Sequence, residues 1–374
     1  ALQGKTIAFC LFKYFPYGGL QRDFLRIALE TQARGFNIRI YTLEWEGDIP
    51  AGFEIIIVPV SALTNHTRYR KYYVWVDSAL KKDPVERLIG FNKMPGLDVY
   101  FAADSCYEDK ARNQRSWAYR RTPRYGLFSE FEESVFSRDS ETEILMISSA
   151  QIPLFEQYYS TLPERFHLLS PGIARDRIAP ANRDEIRADF RGEMKLGDDE
   201  IQLLMIGSGF ITKGLDRVLI AMAALPKSLR DRTRLIVIGQ DNPNTFRRMA
   251  KKLGLSNRVL ILKGRDDVPR FLIGADLLVH PAYAENAGMV LLEAIVAGLP
   301  VIATDICGYA PYIEKADAGQ LIPSPFQQET FNVMLEGMIN KLGESDWSAN
   351  GIAFAAVADI YDMPVHAADY ICSE

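Results

Sequence analysis

Two carboxylates set eight residues apart mark the stretch PAYAENAGMVLLEAIVAGLP at 281–300. Its second half is apolar enough for a buried helix, yet it carries Glu293, and Glu285 stands just ahead of it. The preceding ADLLVHP reads as a strand ending near His280, so Glu285 falls in a loop and the helix opens near Gly288. The first free N–H groups of such a helix attract anions. Glu293, about a turn and a half into the helix, suits two-point acceptance from paired ribose hydroxyls. Glu285, ahead of the helix, suits acceptance from sugar hydroxyls. An ionised acid in a buried site needs such partners, because leaving it unpaired costs several kcal/mol. The competing reading puts Glu293 on the solvent stripe of an amphipathic helix and Glu285 on the surface.

Two glycine-containing turns carry the matching cationic and anion-binding chemistry. LLMIGSGFITKGLDRVL runs strand, loop, Lys213, Gly214, helix, and a lysine at that point can neutralise a leaving diphosphate. The plainer reading is a solvent lysine ahead of a helix. Near the N-terminus, CLFKYFPYGGLQRDF sets Gly18 and Gly19 before another helix, where adjacent glycines let backbone N–H groups approach a diphosphate; a plain tight turn is the alternative. Neither stretch is GxGxxG or GxxxxGK[ST], so the dinucleotide and P-loop fingerprints fail. No D-x-D pair, the usual divalent-ion holder of metal-dependent sugar transferases, occurs. A third stretch, DKARNQRSWAYRRTPRYGLF, has six basic residues and no acid from 110 to 124: Lys110, Arg112, Arg115, Arg120, Arg121 and Arg124, interleaved with Trp117 and Tyr119 and followed by Tyr125. That composition suits an element lying on anionic headgroups, against the alternative of a solvated helix.

Alternating elements must position these residues. TIAFCLF, GLQRDFLRIALETQARG and NIRIYTL form a βαβ unit, with further strands expected at 53–58, 86–90, 97–102 and 143–147 and helices near 66–82, 108–136 and 149–160. After the turn-rich HLLSPGIARDRIAPANRDE the alternation restarts, with strands at 201–207, 234–238, 259–263, 276–279 and 300–303. Helices are expected there near 214–225, 244–254, 266–274, 288–298 and 327–342. The expected organisation is two doubly wound α/β domains, 1–168 and 169–352, with a C-terminal helix at 353–374 returning to the first and ending its helical run at Pro364. Ligands of this class bind at the C-terminal edges of the sheets, here expected to face one another across a cleft.

With 374 residues, 48% hydrophobic and 24% charged, the composition is that of a folded protein rather than a disordered or fibrous one. The net charge of −5 comes from the part after residue 170; 1–170 balances 21 Lys and Arg against 21 acids, which argues against nucleic acid as a partner. Four dispersed cysteines and four histidines without ligand spacing indicate neither a disulfide framework nor a zinc site, as suits a reducing cytoplasm. No stretch approaches 18 uninterrupted apolar residues.

ENAGMVLLE resembles the E-x7-E motif of retaining glycosyltransferases of family four, which have the two-domain GT-B fold. AFCLFKYFPYGGLQRDFLRIA, GFNKMPGLDVYFAADSCY, SPGIARDR, HPAYAENAGMVLLEAIVAGLPV and CGYAPYI extend the likeness over nearly the whole chain. They resemble most the branch that glucosylates an inner-core heptose of bacterial lipopolysaccharide. The resemblance implies UDP-glucose as donor, retention of configuration and a heptosylated lipid acceptor. With no D-x-D, no metal or other cofactor is expected, and the basic stretch then places the protein peripherally on the cytoplasmic face of the inner membrane. Of the oligomeric states, which the sequence does not fix, a monomer is favoured. The resemblance also implies that Gly18 and Gly19 lie under the donor diphosphate, with Asp23 following on the same helix face close enough to touch donor or acceptor. It further implies that Lys213 stabilises the leaving phosphate, Glu285 binds the hexose, the backbone at Ala287, Gly288 and Met289 holds the phosphates, and Glu293 holds the ribose. Asp104 matches an aspartate implicated in activity, and Arg177 a cleft arginine in the linker. Thr212 departs from the family, which commonly has Arg there, so the phosphate clamp loses one cation or Arg177 supplies it. Rival readings keep the fold with another sugar or acceptor, or a nucleotide-sugar-binding or membrane-scaffold protein without turnover, which Thr212 alone favours. A nicotinamide oxidoreductase lacks its fingerprint.

Overall fold

A computed structural model describes residues 4–373. The chain divides into two compact units, one running through Gly172 and resumed from Asp362, the other Ile173–Tyr361. Both boundaries therefore differ from the expected ones. The first break falls at 172/173 rather than 168/169, and the return begins at 362 rather than 353. Helix Trp347–Val357 stays with the second unit, while Met363–Cys372 belongs to the first. Pro364, read as a helix stop, lies in the first turn of that last helix, where its missing N–H has no intrahelical partner to lose.

The first unit is a parallel sheet of seven strands, in the order Phe53–Ile57, Asn37–Thr42, Thr6–Cys10, Arg87–Gly90, Val99–Ala102, Glu143–Met146, Phe166–Leu168. Short apolar runs such as VYFA, buried at every position, are what a strand covered on both faces requires. Strand order reverses between Thr6–Cys10 and Arg87–Gly90, and the loops beyond them are tied by Phe12 N–H donating to Asn92 Oδ1 at 2.8 Å. Helix Met363–Cys372 lies against helix Gly19–Ala33, held by Arg34 Nε on Asp369 Oδ1 at 3.0 Å and Arg87 Nη1 on the Ile371 carbonyl at 2.9 Å. Gly172 permits the approach, since a Cβ there would stand 2.7 Å from that of Met363.

The second unit has six parallel strands in the order Val259–Leu262, Thr233–Ile238, Ile201–Ile206, Leu277–His280, Val301–Thr304, Gly319–Ile322. Counted along the unit this is 3-2-1-4-5-6, with its switch point between Ile201–Ile206 and Leu277–His280. One face of the core joins Leu203, Met205, Leu219, Leu235, Val279 and Leu335. Helix Arg183–Glu193, inside and just beyond the expected turn-rich linker, buries only Phe190, whose ring fills the space a Cβ on Gly274 would need.

Candidate functional site

The switch point of the second unit brings two loops together. The loop after Ile201–Ile206 carries Lys213; the loop after Leu277–His280 carries Glu285. They are joined by the Tyr283 N–H donating to the Thr212 carbonyl at 2.8 Å. Gly214 makes this possible twice over: its φ is +80°, and a Cβ would stand 2.1 Å from the Pro281 carbonyl oxygen.

Lys213 Nζ donates to Glu285 Oε2, and His280 Nε2 reaches the same oxygen at 3.0 Å. Glu285 Oε1 has no hydrogen-bond partner among the described residues. The carboxylate is thus held from one side, with its second oxygen left to accept from a ligand. Burial pushes the Glu285 carboxyl up, but the His280 hydrogen bond and the Lys213 charge outweigh it and draw it down to about 2. His280 is fully buried and its Nδ1 has no partner among the described residues. Its Nε2 carries the proton that reaches the carboxylate oxygen, since an ionised carboxylate only accepts.

Glu293 is 5% exposed on helix Met289–Val296, and Arg177 Nε stands 3.5 Å from its Oε1. The solvent-stripe alternative for Glu293 is therefore excluded, and Glu285, with its side chain 14% exposed, is not a surface residue either. Arg177 is in the turn Arg175–Arg177 of the second unit itself, not in a linker between units. Between the two acids, Ala287 is buried and its carbonyl accepts from the Tyr309 N–H at 2.7 Å; Gly288, at φ +87°, precedes the helix that opens at Met289. An anion at that end meets free N–H groups and the positive end of the helix dipole. Thr212 is exposed and contributes its carbonyl, not a charge.

The remaining expected residues sit in the first unit. Gly18 precedes helix Gly19–Ala33 in extended backbone, φ −80° and ψ 140°, so it is not needed for a left-handed turn; a Cβ there would collide with the Gln21 side chain. At Gly19 a Cβ would meet nothing within 4 Å, which leaves that helix end open. Asp23 is 3% exposed on the same helix, and Asp104 is exposed just after Val99–Ala102. The loop after Asp104 is fixed by Glu132, a fully buried acid whose Oε2 accepts from Lys93 Nζ and, at 2.7 Å, from the Tyr107 N–H. Its Oε1 accepts from the Glu108 N–H at 2.9 Å and the Tyr159 hydroxyl at 2.7 Å.

The basic stretch is not the single helix expected over 108–136. Helix Tyr107–Asn113, a 3-10 turn Trp117–Arg121 and helix Pro123–Phe136 follow one another, the last opened by Pro123 and capped by Thr122, which accepts from the Tyr125 N–H. Lys110, Arg112, Arg115, Trp117, Arg120, Arg121 and Arg124 are all exposed. Arg112 is paired with Glu108, whereas the other five cations have no carboxylate partner among the described residues. Arg121 covers the Trp117 ring at 4.6 Å and Arg124 the Phe128 ring at 5.2 Å.

Sequence reasoning missed His280 as a site residue. Its one signal is position: an ionisable ring closing an apolar strand, five residues before an acid.

The switch point of a doubly wound sheet is where ligands of this fold class bind, and here it carries a lysine and an anchored acid beside a helix N-terminus. Residues 186–348 match the family described as glycosyl transferases group 1. Over 98% of this chain, and 98% of the relative, the sequence is 47% identical to the lipopolysaccharide glucosyltransferase WaaG of Escherichia coli strain K12. The chain belongs to the group 1 glycosyl transferases and has their GT-B fold. The crystal structure of WaaG, a glycosyltransferase involved in lipopolysaccharide biosynthesis, gives a TM-score of 0.94 with 98% of this chain and 100% of that one covered. Anabaena HepE in complex with UDP-glucose shares the fold at 17% identity, with a TM-score of 0.74 over 99% of this chain and 100% of that one.

Proposed function

We propose that this chain is a hexosyltransferase of lipopolysaccharide core biosynthesis, moving glucose from UDP-glucose to an inner-core heptose with retention at the anomeric carbon. The observation that carries the reading is 47% identity along 98% of the chain to a lipopolysaccharide glucosyltransferase. The second unit supplies compatible chemistry. Glu293 accepts from the ribose hydroxyls, the N–H groups from Ala287 to Met289 hold the diphosphate, and Glu285 Oε1 accepts from the hexose. Lys213 lies against the diphosphate and meets the charge that develops as the sugar–phosphate bond breaks, so its effect is greatest in the transition state. Arg177 supplies the cation that Thr212 does not. No metal takes part in this reading, in which the leaving charge is met by Lys213, Arg177 and the helix end.

The exposed cations from Lys110 to Arg124, with Trp117 among them, hold the protein to the anionic cytoplasmic face of the inner membrane, where each is worth about 1 kcal/mol. No helix among the described residues is long and apolar enough to cross a membrane. The test is transfer of labelled glucose from UDP-glucose to lipopolysaccharide truncated at heptose, with EDTA present. Label in the lipid is expected; free glucose without lipid label would remove the acceptor assignment, and no turnover would remove the donor assignment as well.

A further inference from the structure

Arg217 stands in the first turn of helix Leu215–Ala224, and its guanidinium lies between two aromatic rings, 3.5 Å from the centroid of Tyr283 and 3.6 Å from that of Phe326. Its Nη1 donates to the carbonyls of Pro281 at 3.0 Å and Ala282 at 3.2 Å. Tyr283 is tied twice more: its hydroxyl donates to Asp216 Oδ2 at 2.6 Å, and its N–H to the Thr212 carbonyl at 2.8 Å. Gln328 Nε2 donates to the Arg217 carbonyl at 3.0 Å, which joins helix Gln328–Lys341 to the same clamp. Every one of these bonds bears on residues 281–283 or on the residue that grips them, two positions before Glu285.

A strand-end loop is ordinarily among the freer parts of a fold, yet this one carries a carboxylate that must keep one oxygen on Lys213 and His280 while offering the other to a ligand. A planar guanidinium is suited to holding it, since its faces stack on two rings while its edge donates to two carbonyls; a lysine ammonium cannot do both. We propose that Arg217 is a positioning residue for the hexose subsite, acting through the 281–283 segment on the direction of Glu285; this rests on the reading of Glu285 as the hexose acceptor. The clamp grips neither Glu293 nor the helix end at Met289, so nucleotide binding is independent of it.

The test compares dissociation constants for UDP and UDP-glucose, with kcat, in Arg217→Met, Arg217→Lys, Phe326→Leu, Glu285→Ala and the double variant Arg217→Met with Glu285→Ala. Arg217→Met is expected to keep UDP affinity within about twofold, to lose about tenfold of the preference for UDP-glucose over UDP, and to lower kcat by about 10- to 100-fold, as a misplacement of about 1 Å does. Arg217→Lys is expected not to restore the preference, and Phe326→Leu, which spares both carbonyl bonds, to lose part of it. The double variant is expected to be no worse than Glu285→Ala, because the two changes remove one interaction. Parallel losses for UDP and UDP-glucose, full rescue by Lys, or additive losses in the double variant would overturn the proposal. If Glu285→Ala loses the preference while Arg217→Met keeps it, Arg217 alone is wrongly assigned; if Glu285→Ala keeps it, the reading of Glu285 fails and takes this proposal with it.

Discussion

Each unit buries a glutamate against a lysine, and the two pairs differ in what they leave unsatisfied. Glu132 of the first unit accepts on both oxygens, from Lys93, two backbone N–H groups and a tyrosine hydroxyl. Glu285 of the second receives Lys213 and His280 on one oxygen and keeps the other free among the described residues. A saturated buried carboxylate fixes local structure; a half-saturated one keeps capacity for a further donor, which is what the proposed hexose role of Glu285 needs. The same lesson holds for the lysines. Lys93, 11% exposed, also donates to the Ser105 carbonyl, whereas Lys213, 20% exposed, donates among the described residues to Glu285 alone. Burial with a lysine partner therefore does not by itself distinguish a site from a structural pair; the two pairs differ in spare capacity.

The contrast is broken most severely at the first pair. Glu132→Ala leaves Lys93 without its carboxylate and two N–H groups uncapped, and is expected to lower unfolding stability by about 3–5 kcal/mol. Denaturant midpoints would check this, and an unchanged midpoint would make the two pairs alike. Lys213→Ala is expected to reduce kcat by about 100- to 1000-fold with little change in UDP affinity, and to lower Tm because Glu285 loses one of the two groups that hold its carboxylate ionised. Equal losses in kcat and UDP affinity would make Lys213 a binding residue. Glu293→Ala is expected to weaken UDP itself by about tenfold or more, as loss of charged hydrogen bonds does, measured by calorimetry.

Acid separates the pairs more gently. Both carboxyls titrate lower in the folded protein than in the unfolded chain: burial raises each, and for Glu132 the Lys93 charge and hydrogen bond with the two N–H donors outweigh it. Each thus contributes stability that is complete above the unfolded value and lost as pH falls through the folded one. For Glu285 the window runs from 4.5 down to about 2, and the Glu285→Gln protein should lose less stability than the parent across it. The surface stretch is tested apart from the two pairs. Charge reversal at Arg120, Arg121 and Arg124 should abolish binding to anionic vesicles, at about 1 kcal/mol for each cation removed, while leaving UDP affinity and Tm unchanged.

The two doubly wound halves were legible because their central strands are apolar runs buried on both faces, set between glycine-bearing turns. What escaped was short or polar. Phe166–Leu168 and Gly319–Ile322 close their sheets as half-exposed edge strands of three and four residues, and Arg183–Glu193 is a charged helix with one buried anchor. Pro123 and Pro364 stand at helix starts, so one broke an expected long helix and the other was mistaken for an end. At the site, Lys213, Glu285 and Glu293 could be picked out by type and spacing. His280 and Arg217 could not, since their roles depend on strand order bringing residues near 213 beside residues near 281. Asp104 and Glu132 show the same limit: both are acids in the first unit, and only burial tells the exposed candidate from the structural cap.

The most direct test compares UDP-glucose with UDP binding in Glu285→Ala by calorimetry, with Glu293→Ala alongside. If the free oxygen of Glu285 is the hexose acceptor, Glu285→Ala binds UDP as the parent does and loses its preference for UDP-glucose, while Glu293→Ala weakens both ligands together. The same loss for both ligands in both variants would contradict the assignment and reduce Glu285 to a second structural acid like Glu132.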